Sequence, residues 1–311
     1  MVPPQGPMNS SQIQVIDPIL TTVVQGYMPP DLVGSALFPR VPVQTTGGQV
    51  LEFGKEAFKQ YATRRAPGTA TKRITFGYLG KHYSLENHSL EAPVPREFMR
   101  DASKVPGIDL GSRATKLVMN VHLLELEIQA ASIALNVANY DINHLLTLSG
   151  SSKWTDSSAE PGKDVGAARE AIRSSCGLYP NLMLISAKVF EGLRDNPQVQ
   201  ERFKYTGRDS ITADMIARMW NLERIVVGGA VTSDDAGNMS DVWGMGAVLA
   251  YVPTAPMGAE QPSYGYTYTM EGHPLVEVPY WDNNAKSWIY GVSMERVPVL
   301  SGIVSGFLIQ N

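Results

Sequence analysis

The chain has 311 residues, 43% hydrophobic and 18% charged, with a formal net charge of −4. This describes a folded protein with a full core, in one large domain or two smaller ones, and excludes a disordered chain. The acidic balance argues against a general nucleic-acid binder, which carries a basic excess. Cys176 is the only cysteine, so no intrachain disulfide framework or cysteine metal cluster is available, and assembly in a reducing cytoplasm is expected. No apolar run is read as reaching the ~20 residues of a membrane helix. The N-terminus lacks the basic start and apolar core of a signal peptide.

Residues 1–46 hold three charged side chains, Asp17, Asp31 and Arg40, and eight prolines, which disfavours regular helix there. Yet Ile13, Val15, Ile16, Ile19, Leu20, Val23 and Val24 are too apolar for a solvated tail. An extended arm reconciles the two, lying either on its own domain or on a neighbouring subunit.

Residues 47–86 read as two long strands joined by a tip. Gly47-Gly48 opens the first strand, and Ile74, Phe76 and Tyr78 alternate along the second. Ala66-Pro67-Gly68 supplies turn chemistry between them. From Lys55 to Arg73, Lys55, Lys59, Arg64, Arg65, Lys72 and Arg73 stand against one acid, Glu56, so residues 55–73 carry +5 and the rest of the chain −9. An isolated hairpin is not stable in water. A basic one on an acidic protein predicts docking on an acidic partner surface, most simply another copy of the chain. A solvated charged loop is the plain alternative. Nucleic-acid binding by the tip is disfavoured, because its few aromatics are not interleaved with the basic cluster.

Pro93 and Pro95 are read as breaking the chain before its most regular stretch. From Ser112 to Ala138, the residues Ala114, Leu117, Val121, Leu124, Ile128, Ala131, Leu135 and Ala138 recur every three or four positions. That is one apolar stripe on a helix roughly 40 Å long, with Asp109 or Ser112 capping its first turn. Alanines in the stripe and the lack of alternating flanking charges weigh against a two-stranded coiled coil. A helix laid across a sheet, as the backbone of a larger domain, fits better.

Residues 149–163 are Ser/Gly-rich and turn-forming, and mark a boundary. Beyond them, Asp164 caps a helix running to Cys176, and 181–186 (NLMLIS) reads as a buried strand. Ala187–Asp195 forms a helix that Asn196-Pro197 ends, and a short helix covers 198–204. Thr212 caps a helix to Met219, and 224–227 is a strand. Val242–Val252 reads as a strand with Gly244 and Gly246 inside it, and 253–285 as irregular. Residues 286–297 form a long strand with Trp288, Tyr290, Val292 and Met294 on one face.

Catalytic motifs fail on inspection. Gly162-Lys163 is followed by Asp164, and Ser157 stands where a phosphate loop needs glycine. Gly244-x-Gly246 lacks the third glycine of a dinucleotide site, and no Gly-x-Ser-x-Gly elbow exists. His82, His88, His122, His144 and His273 form no zinc pattern. His122 and Glu125, one turn apart, read as a solvated or locally hydrogen-bonded pair before metal ligands. Cys176 reads as a small buried hydrophobe, and Asp234, Asp235 and Asp241 as a surface loop without calcium-ligand spacing. No catalytic residue, cofactor or metal is predicted, which favours a structural protein.

The order of parts resembles the major capsid proteins of tailed bacteriophages, an α+β fold named after the Hong Kong 97 phage. Those parts are a proline-rich arm, a basic hairpin, a long helix, a turn-rich boundary, a compact α/β segment and a returning strand. Local likeness lies in 148–156 (LSGSSKWTD), Tyr179-Pro180-Asn181, 189–206 (VFEGLRDNPQVQERFKYT) and 225–230 (IVVGGA). The resemblance implies an N-terminal arm at 1–34 and a peripheral domain at 35–46 and 87–163 with its spine helix at 112–138. It implies an extended loop at 47–86, an axial domain at 164–284, and at 285–311 a return to the peripheral domain with a C-terminal strand. Pentamers and hexamers would close an icosahedral shell around double-stranded DNA, as a procapsid that later expands. Implied partners are many copies of the chain, scaffolding, portal and maturation proteins and an optional decoration protein, with no membrane. The implied location is the virion capsid, after assembly in the host bacterial cytoplasm. No long charged scaffolding helix precedes the arm, so scaffolding is a separate protein or a removed segment. Some relatives crosslink a hairpin lysine to a neighbour's asparagine, for which Lys59 or Lys72 is the candidate. Lys55, Lys59, Arg64, Arg65, Lys72 and Arg73 are expected to contact acidic groups on the next subunit. An encapsulin, the same fold around an enzyme, is the alternative. A soluble enzyme with a site dispersed in sequence is the remote one.

Overall fold

A computed structural model describes residues 17, 20–21, 32–50, 64–65, 71, 82–102, 109–203, 211–254 and 263–311. The first half contains α1 (Gly34–Leu37), β1 (Arg40–Val43), β2 (Gly47–Gln49), β3 (His82–Ser84), β4 (Glu86–Pro95), α2 (Arg96–Ala102), α3 (Leu110–Ala134) and β5 (Leu145–Thr147). Then come α4 (Pro161–Cys176), β6 (Leu182–Ser186), α5 (Ala187–Asp195), α6 (Pro197–Arg202), α7 (Ala213–Met219), β7 (Arg224–Gly228), β8 (Val231–Ser233), β9 (Met239–Asp241) and β10 (Gly246–Ala250). The chain closes with β11 (Gly265–Met270), β12 (Leu275–Val276), β13 (Tyr280–Asp282), β14 (Ser287–Leu300) and β15 (Gly306–Gln310).

The long helix is present and starts where its cap dictates. Asp109 Oδ1 accepts the N–H groups of Gly111 and Ser112 at 3.0 and 3.2 Å, two of the donors a helix start leaves unpaired. Its end falls at Ala134, earlier than expected, and the next residues turn into a short 3-10 segment at Val137–Asn139. The predicted stripe faces inward only in part: its Ala114 and Ala131 are buried. Leu117, Val121 and Ile128 are exposed, while Thr115, Val118, Met119, His122, Leu123, Leu126, Glu127 and Ala130 are buried. Both rows satisfy the helical period, but the inward one carries Thr, His and Glu, which an apolar count passes over.

β14 is the axis of a six-stranded sheet. β4 pairs with it antiparallel over ten residues, from Ser287↔Pro95 to Arg296↔Glu86. β11, β12 and β13 share its other side, and β1 adds parallel to β11. Pro93 therefore lies inside a strand instead of ending one, and Pro95 is that strand's last residue before α2. β4 pairs only with β14 among the described residues, and an edge strand tolerates a missing N–H. Residues 265–282, expected to be irregular, supply three strands. Gly272, at φ +87°, turns the chain between the first of them and the next two. Val118, Met119 and Leu123 of α3 pack on Val276, Val292 and Met294 of this sheet.

The second sheet has the order β5-β15-β10-β6-β7. β6 and β10 are buried along their whole length, as strands covered on both faces must be. α4, α5 and α7 cover one face through Ile172, Val189, Leu193 and Ile216. α1 and the end of α3 cover the other, where Ala130, Ala131 and Ala134 meet Leu184, Val248 and Leu308. The alanines let this end of the helix approach closely, so α3 joins the two sheets along its length.

The sheets divide the chain differently from the expected segments. β5 and β15, outside 164–284, belong to the second sheet, and β11 to β13, inside it, belong to the first. Other local expectations also shift. α4 begins at Pro161 with Glu160 at its N-cap, and Asp164 instead accepts the Trp154 Nε1–H at 2.9 Å. The strand expected from Val242 begins at Gly246, because Gly244 turns the chain at φ +51°. α1 is one turn of helix in the proline-rich region. Asp17 donates its N–H to the Val276 carbonyl at 2.9 Å, and Thr21 Oγ1 accepts the Val276 N–H at 3.1 Å. This piece of the arm lies on its own domain; the other apolar arm residues named above fall outside the described ones, apart from Leu20.

A Cβ at Gly228 would run into the Trp243 indole ring. Both residues are buried, so Gly228→Ala is expected to lower subunit stability by about 1–3 kcal/mol. Urea unfolding checks this, and an unchanged midpoint would refute it.

Candidate intersubunit surfaces and the buried charges behind them

The hairpin is seen at its base and at three residues beyond it. β2 and β3 pair antiparallel through Gly47↔Ser84, Gly48↔Tyr83 and Gln49↔His82. Tyr83 stacks on Tyr268 with ring centroids 4.2 Å apart and planes 7° apart, which anchors the base to the six-stranded sheet. Burial pushes the Tyr268 phenol up to about 12. Of the six basic residues singled out above, Arg64 and Arg65 are exposed, and an Arg65 Nη1–H donates to Thr71 Oγ1 at 3.1 Å. Lys55, Lys59, Lys72 and Arg73 lie outside the described residues, as do the Ala66-Pro67-Gly68 turn and the alternating Ile74, Phe76 and Tyr78. Among the described residues, no acidic partner for Arg64 is brought to it.

Two buried charges, unforeseen in the sequence, sit where α3 meets the rest of the molecule. Arg296 projects from β14 and is fully buried. Its Nη1 donates to Gln129 Oε1 at 2.6 Å, and its Nη2 donates to the His122 carbonyl and to Glu125 Oε2, both at 3.1 Å. Desolvation draws the guanidinium down to about 10; Glu125 opposes this and Arg40 adds to it. His122, expected to be solvated or locally paired with Glu125, is instead buried and hydrogen-bonded across to the sheet. Its Nε2 donates to the Val292 carbonyl at 3.1 Å, its Nδ1 lies 4.0 Å from Glu125, and burial lowers its pKa. Glu125 also reaches His88 Nδ1 at 3.2 Å.

Glu127 is the second buried charge. Oε1 accepts the Val33 N–H at 2.9 Å and the Trp243 Nε1–H at 2.7 Å, and Oε2 accepts the Gly34 N–H at 2.7 Å. A Cβ at Gly34 would lie 2.8 Å from Oε2, so glycine is what lets the backbone come this close. One carboxylate thus ties the start of α1, the middle of α3 and the turn before β10. The signal available in the sequence was Glu127 itself, out of place beside Leu123, Leu126 and Ala130, but nothing local named its partners.

The remaining chemistry is structural. The Cys176 thiol is buried and its pKa is raised by desolvation, the opposite of an activated nucleophile. Asp234 accepts the N–H groups of Ala236 and Asn238 and the Asn238 Nδ2–H, which closes the β8–β9 turn and lowers its own pKa. Among the described residues, no group of three or more His, Cys, Asp or Glu side chains could hold a metal. Contrary to the expectation from the sequence, Leu110–Ala134 is long and apolar enough to cross a membrane by length and composition. It packs against both sheets and carries buried His122 and Glu127, as a core helix does.

The family described as phage major capsid protein E matches residues 137–289. The major capsid protein of Burkholderia phage BcepMu is 32% identical over 304 residues, covering 96% of this chain and 97% of that protein. The crystal structure of a phage-related protein from Bordetella bronchiseptica RB50 is 51% identical with a TM-score of 0.83, covering 96% of this chain and 98% of that one. The capsid structure of cyanophage P-SCSP1u shares the fold at 10% identity, with a TM-score of 0.58 over 88% of this chain and 86% of that one.

Proposed function

This chain belongs to the phage major capsid proteins, and from that premise we propose that its copies assemble as pentamers and hexamers into an icosahedral shell around double-stranded DNA. It is a structural component of the virion capsid, has the Hong Kong 97-type α+β fold, and is not an enzyme. The observation that carries the proposal is the full-length likeness to a phage major capsid protein. It favours a phage shell over an encapsulin, which has the fold in common but takes an enzyme as cargo.

The proposed division of labour follows the two sheets. The six-stranded sheet with α3 serves as the peripheral domain, and the five-stranded sheet with its helices as the axial domain whose copies meet at the symmetry centres. The 47–86 hairpin reaches over the next subunit. Scaffolding, portal and maturation proteins join the assembly, a decoration protein is optional, and the DNA is held without sequence recognition. Assembly takes place in the host bacterial cytoplasm.

Expression of the chain alone, followed by light scattering and negative-stain electron microscopy, is expected to give closed shells. A monodisperse monomer or dimer that persists with scaffold and crowding would overturn the proposal. Arg64→Glu combined with Arg65→Glu is expected to cut shell yield at least tenfold while circular dichroism stays unchanged. Exposed ion pairs are worth only ~0–1 kcal/mol each, so the basic residues act through steering and register, repeated over many copies. Normal shells from the double variant would sink that role.

A further inference from the structure

α3 is buried along one side only. On the other, Leu117, Val121 and Ile128 are 62%, 48% and 38% exposed, and Leu124 between them is half-buried. Single exposed apolar side chains are ordinary on a protein surface; four in one row are not. Ala114 and Ala131 close the row at its two ends, and both are buried. The alanines that weighed against a coiled coil therefore lie outside its exposed part.

The exposed part is spaced by four, three and four residues. That spacing puts Leu117 and Leu124 at d and Val121 and Ile128 at a of a heptad repeat. β-branched residues at a with leucine at d form the seam that takes one partner helix, knobs into holes. The flanks say which kind of helix. Arg113 stands at g, just before the row, with Lys116 nearby; both are exposed, and among the described residues neither forms an ion pair. Lys116 faces Asp109, whose carboxylate is engaged in capping the helix. Glu125, at e, is bonded to Arg296 and His88, and Glu127, at g, to Val33, Gly34 and Trp243. A second copy of α3 would bring the same two cations, with its acids engaged in the same way.

We propose that this face of α3 seats an amphipathic helix of a second protein, one with Leu, Ile or Val at a and d and acidic side chains opposite Arg113 and Lys116. From Leu117 to Ile128 the row runs ~17 Å, too short to hold two proteins together alone. Each contact is therefore weak and reversible, and charge at one end sets its register. The surface is complete within one subunit, so the inference goes beyond the shell reading and does not depend on it.

Two three-heptad peptides test it, both with Ile at a and Leu at d, one with Glu and the other with Lys at every e and g. Like charges keep each peptide from pairing with itself. Fluorescence anisotropy with the purified full chain is expected to show the acidic peptide binding at least tenfold more tightly than the basic one. Val121→Asp, a change at an exposed position, is expected to weaken that binding at least tenfold with circular dichroism unchanged. Arg113→Glu combined with Lys116→Glu is expected to bring the two peptides within threefold of each other. Equal binding of both peptides to the unaltered chain, or binding of neither, overturns the proposal. Undiminished binding to the Val121→Asp chain places the peptide elsewhere on the protein and also overturns it. A chain with Cys176→Ala and Val121→Cys that oxidises to disulfide-linked dimers gives this face to a second copy, with the same consequence.

Discussion

Arg296→Ala is expected to destabilise the subunit by about 3–5 kcal/mol, the range for removing one partner from a buried charged network. The side chain is fully buried between β14 and α3 and holds Gln129, Glu125 and the His122 carbonyl. Its loss removes these hydrogen bonds and opens a cavity at the seam between helix and sheet, two costs that add. Arg296→Met separates them. Methionine fills most of the volume and carries no charge to desolvate, and the native guanidinium is itself held at a penalty. Burial lowers its pKa to about 10, Arg40 adds repulsion, and its Nε has no hydrogen-bond partner among the described residues. The methionine variant is therefore expected to lose less than half of what the alanine variant loses. Urea unfolding of the two variants side by side decides the matter. Equal losses would mean that the hydrogen bonds, and not the filled volume, dominate at this seam.

Glu127→Ala is expected to cost a comparable about 3–5 kcal/mol, because it strands three buried donors at once: the Val33 and Gly34 N–H groups and the Trp243 indole N–H. Glu127→Gln keeps the size but turns an NH₂ toward groups that also donate, leaving one oxygen to accept. Its expected cost is smaller, about 1–3 kcal/mol. Thermal unfolding measures both, and amide hydrogen exchange localises them. Faster exchange confined to Val33 and Gly34 is expected in the Gln variant, with the six-stranded sheet unaffected. Unchanged protection at both amides would show that α1 is held by Leu37 and Phe38 packing alone.

The paired losses also bear on what a reader of the sequence could see. The cap at Asp109, the α5 helix ended by Asn196-Pro197, the Thr212 cap, the buried strand read at 181–186 and the strand read at 224–227 were legible. Each depends on residues within one turn or one pleat of another. The six basic residues at 55–73 were legible as a charge pattern, but the buried Arg296 and Glu127 were not, because their partners lie far along the chain.

By itself the sequence determined the cap of the central helix and roughly how long that helix could be, the places of several helices and strands after it, and that one stretch carries an excess of positive charge. Only the tertiary structure decided which side of that helix faces inward. Two rows fit its period, and a period reports spacing, not burial. The choice is made by partners far away in the chain: Val33 is 94 residues from Glu127, Trp243 is 116 from it, and Arg296 is 174 from His122. Groups that bond across such distances turn polar residues inward and leave Leu117, Val121 and Ile128 on the surface. Local patterning carries no record of those bonds, because they exist only once both sheets have closed on the helix.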